Sequence, residues 1–283
     1  DPPCPYYDRC GGCELQELDY SAQLRAKREI VREQLRRIGG LSEVSVGETR
    51  HGEAYGYRTR LRLHHGEGGY GFMERGGERI VPVERCIVAA EPLNEELREF
   101  QAGRAGRGRR DGAARHEVTL ALCDGGILRS SRGEEKRVTL RGVELQFSGA
   151  SFFQSNLSLF DRLLGELLRE IDLPGGYELF DLYAGVGAIA AVVARAAEVP
   201  EPDRIHCVEP SVESARFVGR NLFGLDFRLH TRTAEQFVRR FRKLPRNSVV
   251  LVDPPRGGLS KEVRRFLLAS AAKLLIYVSC DPT

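Results

Sequence analysis

The second half of the chain repeats one pattern, in which a short run of apolar residues is followed by a longer amphipathic stretch. The apolar runs carry Val, Ile, Leu and Phe at consecutive positions, which is typical of strands that are buried on both faces. Their alternation with helical stretches predicts a parallel sheet with helices on both sides. The predicted strands are ELFDL (178–182), IHCVEP (205–210), FRLH (227–230), SVVLVDPP (248–255) and KLLIYVSC (273–280).

The first half shows a different periodicity. In RTRLRLHH (58–65), Leu61 and Leu63 alternate with Arg60 and Arg62, and this two-residue period predicts a half-exposed strand. Further short strands between Gly-rich turns are predicted at 69–75, 78–83, 117–123, 125–130 and 143–147. Helices are predicted at 19–38 and 91–101. The apolar stripe of the first helix is expected to be buried and consists of Leu24, Val31, Leu35 and Ile38.

These patterns divide the chain into three parts. Residues 1–43 form a cysteine-rich segment and a helix, and residues 44–150 form a β-rich domain of the α+β class. SFFQSN (151–156) is the hinge into an α/β domain of the Rossmann-like type at 151–283.

The turn DLYAGVG (181–187) lies between the first strand of the α/β domain and a helix, which is the context of a nucleotide site. Gly185 and Gly187 let the backbone approach a ligand, and the helix N-terminus offers free N–H groups. Asp181 is unfavourable for binding phosphate. The acidic turn therefore favours a cationic or zwitterionic ligand such as S-adenosylmethionine.

Polar residues also stand at the carboxyl ends of the other strands, where parallel sheets bind their ligands. Glu209 can accept hydrogen bonds from ribose hydroxyls, as would also hold in an NAD-binding fold. Asp253 precedes two prolines that end the strand and stiffen the loop, and Arg256 follows them. Cys280 is either a nucleophile beside the ligand or a structural cysteine, and its place between a strand and a turn favours the nucleophile.

A second set of cysteines lies near the start of the chain. Cys4, Cys10 and Cys13 are spaced as C-x5-C-x2-C, which can hold a metal ion or a cluster. Cys86 is the best candidate for a fourth ligand, because Cys123 and Cys207 lie within apolar strand patterns. The spacing does not distinguish zinc from an iron–sulfur cluster.

The composition indicates what kind of partner the protein binds and in which compartment it is found. The net charge is only +3, but Arg dominates the 43 basic residues and is concentrated at 98–115, including a predicted basic loop at 103–113, and at 216–246. Such clusters suggest a polyanion such as RNA, although solvated surfaces give the same pattern. With seven cysteines, no long apolar run and no secretory signal, we expect a monomeric cytoplasmic protein without a membrane segment.

The motifs taken together resemble one known family. C-x5-C-x2-C, SFFQSN, DLYAGVG, VEPS, DPPRGG and YVSCDPT are similar to the S-adenosylmethionine-dependent RNA uracil-5-methyltransferases, specifically the iron–sulfur branch that acts on 23S ribosomal RNA. The resemblance implies a class I methyltransferase domain and a 4Fe-4S cluster. Its implied cluster ligands are Cys4, Cys10, Cys13 and Cys86. It also implies that Gln154, Tyr183, Glu209 and Asp253 contact the cofactor and that Cys280 is the nucleophile.

The chain departs from this family at several points. The family's catalytic base is a Glu beyond the nucleophile, whereas the sequence stops at Thr283, so we expect the methyltransferase domain to be truncated at its C-terminus. Ala188 stands where some members carry Asn, and we expect the chain to lack the N-terminal RNA-binding barrel of many members. The sequence-based hypothesis is methylation of uridine C5 in 23S rRNA. The alternatives are the same reaction on tRNA, a non-catalytic iron–sulfur RNA-binding protein and, more distantly, a nicotinamide dehydrogenase.

Overall fold

The computed structural model describes residues 1–103, 117–130, 134–172, 175–241 and 243–281. These residues form two compact units. The first contains the described residues of Asp1–Glu134 together with Gln154–Leu159, and the second contains those of Glu135–Phe153 and Phe160–Asp281. Apart from Gly103, the predicted basic loop lies outside the described residues. None of the helices in the described ranges has both the length and the apolar character needed to cross a membrane.

The first unit is built on an antiparallel sheet. Its elements are α1 (Tyr20–Arg37), β1 (Arg60–Gly66), β2 (Gly69–Met73), β3 (Ile80–Pro82), α2 (Glu91–Gln101), β4 (Glu117–Cys123) and β5 (Gly126–Ser130). The strand order is β3-β2-β1-β4-β5. Leu61 and Leu63 of β1 are buried, as their alternation predicts, and they pack in one core with Leu93 and Leu97 of α2. Strand β1 thus directs one face into the core, as the two-residue alternation predicts.

Helix α1 forms where the sequence predicts it but is buried less than expected. The Asp19 carboxylate caps it by accepting a hydrogen bond from the N–H of Ala22. No residue of α1 is buried, and Ile38, the end of the predicted stripe, is 70% exposed. The rest of the predicted stripe, Leu24, Val31 and Leu35, is half-buried, and the helix is hydrogen-bonded to Val46 and Thr49 in the segment that follows it.

The second unit contains a parallel sheet and a separate hairpin. Its elements are β6 (Glu135–Leu140), β7 (Val143–Ser148), α3 (Leu157–Glu170, whose first residues belong to the first unit), β8 (Glu178–Leu182), α4 (Ala188–Arg195), β9 (Arg204–Val208), α5 (Val212–Asn221), β10 (Phe227–His230), α6 (Ala234–Arg240), β11 (Ser248–Val252), α7 (Lys261–Leu268) and β12 (Leu274–Tyr277). The sheet order is β10-β9-β8-β11-β12, with all pairs parallel. The predicted α/β alternation is thus confirmed.

The β6–β7 hairpin belongs to the second unit, although the sequence pattern placed the boundary after residue 150. Strand β6 was not predicted, because its apolar positions are only Val138 and Leu140 among charged residues. Strand β7 lies against α4 and α5. There the Asn221 amide accepts from Gln146 N–H and donates to the carbonyl oxygens of Gln146 and Val186. One side chain therefore ties the hairpin to the glycine turn that precedes α4.

A row of hydrogen-bonded polar side chains, centred on the buried His206, crosses three strands of the parallel sheet. His206 of β9 lies 3.0 Å from Glu178 of β8 through Nε2, and 3.2 Å from His230 of β10 through Nδ1. Because a carboxylate only accepts, His206 carries its proton on Nε2 and accepts at Nδ1 from Nε2–H of His230. The His206 ring stacks on Phe180 with centroids 4.4 Å apart, and Phe241 meets it edge-on. The fold thus holds both imidazoles neutral in an aromatic environment.

We expect His206 and His230 to make the free energy of unfolding sensitive to mild acid. Burial lowers the pKa of His206, and burial together with the charges of His206, Arg232 and Arg228 lowers that of His230 to about 4. Below the unfolded-state pKa of about 6.5 the unfolded chain binds more protons, so these histidines lower the free energy of unfolding as pH falls from 7.5 to 5.5.

Urea unfolding at several pH values measures this effect. The difference in unfolding free energy between wild type and His206→Phe should shrink by about 1 kcal/mol from pH 7.5 to pH 5.5. The same substitution at exposed His51 is the control. A difference that is independent of pH would contradict the prediction.

Candidate functional site

Four polar residues selected from the sequence lie at the carboxyl edge of the parallel sheet. Strand β8 lies between β9 and β11, and β12 pairs with β11. Asp181 is the penultimate residue of β8, Glu209 follows β9, Asp253 follows β11 and Cys280 follows β12. The strand order reverses beside β8, so this edge is the topological switch point at which such sheets bind ligands.

The glycine turn after β8 has an unusual backbone. The N–H groups of Tyr183 and Ala184 both donate to Val208 O at 3.0 Å. Gly185 and Gly187 have φ of 56° and 77°, and Gly187 is the N-cap of α4. Tyr183 adopts a φ of 75° without being glycine, a conformation that costs about 1–2 kcal/mol. A Cβ added at Gly185 would meet no atom within 4 Å, so this side of the turn is open.

Glu209 connects the glycine turn to the following strand end. Its Oε2 accepts from Gly185 N–H at 2.9 Å and its Oε1 accepts from Ser211 N–H at 2.7 Å. Burial raises the pKa of Glu209, and the two N–H donors oppose that shift. The carboxylate therefore holds the turn in place and retains lone pairs for a ligand.

Asp181 is the most strongly perturbed acid of this edge. It is 2% exposed, and its Oδ2 has no hydrogen-bond partner among the described residues. Burial, reinforced by the charge of Asp253, raises the pKa of Asp181 to about 7. Burial also raises the pKa of Asp253. A concentration of partly desolvated carboxylates at one edge favours a cation, which would relieve their mutual repulsion.

Cys280 and Gln154 occupy different settings. Cys280 is exposed and lies within a turn in which Ser279 Oγ accepts from Asp281 N–H. It is therefore accessible to a substrate that approaches the strand ends. Gln154 belongs to the short segment Gln154–Leu159 of the first unit.

The sequence analysis did not select two residues that lie near Tyr183. Burial raises the pKa of the Tyr183 phenol to about 12, and Glu235 of α6 and Tyr277 of β12 act in the same direction. Glu235 stands in the first turn of α6, the helix that follows β10. It lies several residues past the end of the strand, so the rule that selects polar residues at strand ends does not reach it.

The cysteines selected near the start of the chain converge in the first unit. Cys4, Cys10, Cys13 and Cys86 all line one cavity, together with Gln16, Arg58 and Arg85 among others. Within the described ranges, however, no three His, Cys, Asp or Glu side chains are arranged to hold a metal ion.

The local structure around these thiols comes from backbone pairing and hydrogen bonds. Cys10 forms an isolated bridge with Glu74, and Arg75 donates to Cys13 O at 2.7 Å. Burial raises the pKa of Cys10 and of Cys86. Hydrogen bonds from backbone N–H groups oppose this shift, and for Cys10 the donor is the N–H of Gly12. The positive charge of Arg58 also lowers the pKa of both thiols.

Comparison with known proteins gives relatives of one kind. No protein-family model matches the chain. An uncharacterized RNA methyltransferase of Aquifex aeolicus is 27% identical over 99% of this chain and 74% of its own. The 23S rRNA (uracil(1939)-C(5))-methyltransferase RlmD of Chromohalobacter salexigens is 31% identical over 99% of this chain and 68% of its own.

A solved structure gives the same fold. The tRNA (uracil-54, C5)-methyltransferase of Pyrococcus abyssi, in complex with S-adenosyl-L-homocysteine, superimposes with a TM-score of 0.72 at 20% identity. The match covers 96% of this chain and 77% of that chain.

Proposed function

Because the chain belongs to the RNA uracil-C5 methyltransferase family, we propose that it methylates C5 of uridine in 23S ribosomal RNA, with S-adenosylmethionine as methyl donor. The observation that carries this proposal is the meeting of three carboxylates, an open glycine turn and an exposed Cys280 at one sheet edge. The relative from Chromohalobacter salexigens, whose name specifies 23S rRNA, supports the choice of RNA. A monomer acting in the cytoplasm is part of the same proposal.

The residues of the edge fit S-adenosylmethionine. The partnerless Oδ2 of Asp181 and the charge of Asp253 suit a ligand with a sulfonium and an ammonium group. Glu209 is placed to accept from ribose hydroxyls, and Gly185 leaves room for the ligand beside the turn. Tyr183 and Gly187 complete the proposed cofactor contacts within the second unit. When bound, the cofactor supplies an electrophilic methyl group.

Cys280 is the proposed nucleophile, because uracil C5 alone is a poor one. The thiolate forms a bond to C6, and the displaced electron pair makes C5 an enolate carbon that can take up the methyl group. A base then removes the C5 proton, and the electron pair of that bond expels the thiolate and restores the C5–C6 double bond. The exposed position of Cys280 suits a target base that has been turned out of its RNA stack.

We further propose that Cys4, Cys10, Cys13 and Cys86 hold a 4Fe-4S cluster. Each cysteine of such a cluster binds a different iron, so the thiols surround a common space rather than converge on a single ion. Their shared cavity and the backbone N–H donors beside Cys10 and Cys86 fit this arrangement. The cluster would organise the N-terminal segment, and methyl transfer by a thiolate requires no electron from it.

Release of tritium from RNA labelled at C5 of uridine tests the proposed reaction. Methylation at C5 exchanges that tritium into water, so an unmodified 23S rRNA fragment should release one tritium per methyl group transferred. RNA labelled at C5 of cytidine is the control. Preferential release from a tRNA transcript would overturn the assignment to rRNA. RNA binding with release from neither RNA would favour the non-catalytic alternative.

A further inference from the structure

The cavity that the four cysteines share contains buried polar atoms with no partner. Nε2 and Oε1 of Gln16 and Nε of Arg58 are buried and make no hydrogen bond to any described residue. Leaving such an atom unpaired costs about 1–3 kcal/mol, and more when the group is charged. Two unpaired groups in one small cavity indicate that the folded chain reserves them for something the thiols bind.

Arg58 is firmly fixed by its own backbone. Its N–H donates to Val88 O at 2.7 Å, and its carbonyl accepts from Ala90 N–H at 2.9 Å. This pairing begins just after Cys86, so Arg58 lies on a segment that is hydrogen-bonded to the residues that follow one of the thiols.

The other arginine that lines the cavity is engaged elsewhere. Arg85 forms an ion pair with Glu91 at 2.7 Å, and its side chain is 59% exposed. Its charge is therefore already balanced and largely screened by water. Arg58 therefore faces the cavity with a buried, unpaired Nε, whereas Arg85 lies at the rim with its charge paired.

We propose that Arg58 and Gln16 form the polar shell of the cluster, donating N–H groups to its sulfur atoms while Arg58 balances its negative charge. The inference rests on the proposed 4Fe-4S site. Four thiolates on a [4Fe-4S]²⁺ core give a net charge of −2, and reduction makes it −3. A guanidinium beside the cluster stabilises both states, the reduced one more, and thereby raises the reduction potential and slows cluster loss.

Substitutions at Arg58 in the anaerobically purified full chain test this shell. Arg58→Met removes the charge and the donors but keeps the backbone pairing, and we expect iron release to a chelator to become about tenfold faster or more. The reduction potential, followed by absorbance during reductive titration, should fall. Arg58→Lys should keep most of the potential, because it keeps the charge, while losing the Nε donor. Gln16→Leu should accelerate iron release with a smaller change in potential.

Arg85→Met is the matched control, since it removes the same charge from the rim of the same cavity. Wild-type potential and release rate in Arg58→Met and Gln16→Leu, or equal effects of Arg58→Met and Arg85→Met, would overturn the inference. If Arg58→Met does not fold, Arg58→Lys and Gln16→Leu decide. A wild-type protein that contains no iron and sulfide would refute the proposed cluster itself and the shell with it, a result distinct from a loaded protein that is indifferent to Arg58.

Discussion

Cys280→Ala is expected to lower the rate of methyl transfer by at least about 10⁴-fold, because it removes the thiolate that we propose forms the bond to C6. The affinity for S-adenosyl-L-homocysteine should stay near that of wild type, since the thiol lies in an exposed turn outside the carboxylate cluster. Single-turnover methylation and calorimetric titration measure the two quantities. Loss of both together would indicate a structural cysteine.

A covalent trap tests the same role more directly. In RNA that carries 5-fluorouridine the C5 position has no proton to remove after methylation, so the enzyme should remain joined to the RNA through Cys280. We expect wild type and Cys123→Ala, a control at a cysteine of β4 outside both sites, to give a band that survives denaturing electrophoresis. An adduct formed by Cys280→Ala would assign the nucleophile to another residue.

Asp181→Asn is expected to strengthen the fold and weaken cofactor binding. A pKa of about 7 in the folded state, against 3.8 for a free Asp, means that the unfolding free energy falls as pH rises through this range. The neutral amide is free of that penalty, so the variant should be more stable than wild type by about 1–3 kcal/mol at pH 8 and by less at pH 5. Thermal or urea unfolding without ligand measures the difference.

The same substitution should lower the affinity for S-adenosylmethionine by about 10–100-fold and the affinity for S-adenosyl-L-homocysteine by less, because the latter lacks the sulfonium charge. In wild type the affinity for S-adenosylmethionine should rise roughly tenfold from pH 6 to pH 8 as Asp181 ionises, and the variant should lose this slope. Asp203→Asn, at the amino end of β9, is the control. Unchanged affinities would remove Asp181 from the site.

The sequence predicts the parallel sheet well because its strands are continuous apolar runs with little ambiguity. All five residues of β11 are buried, and β8 and β10 have the bounds that ELFDL and FRLH predict. The sequence pattern does not predict an element whose formation or burial depends on the element that packs against it. The charged strand β6 forms because β7 pairs with it, and the apolar stripe of α1 contains no fully buried residue.

The candidate site divides in the same way. Residue type and strand-end position suffice to select Asp181, Glu209, Asp253 and Cys280, since the topology of parallel sheets brings strand ends together. The partnerless atoms of Gln16 and Arg58 depend on how a cavity closes in three dimensions, which no spacing in the chain encodes.

The bonds of Asn221 determine where the methyltransferase unit could be cut out of the chain. An excised fragment that began at residue 151 would lack β7, leaving the Asn221 amide with one remaining bond, to Val186, and the apolar faces of α4 and α5 uncovered. Transplanting this unit onto another domain therefore requires residues from 135 onward. The hairpin is therefore a structural part of the second unit, and a chimera of two relatives would keep a folded unit only if the exchange point lies before residue 135.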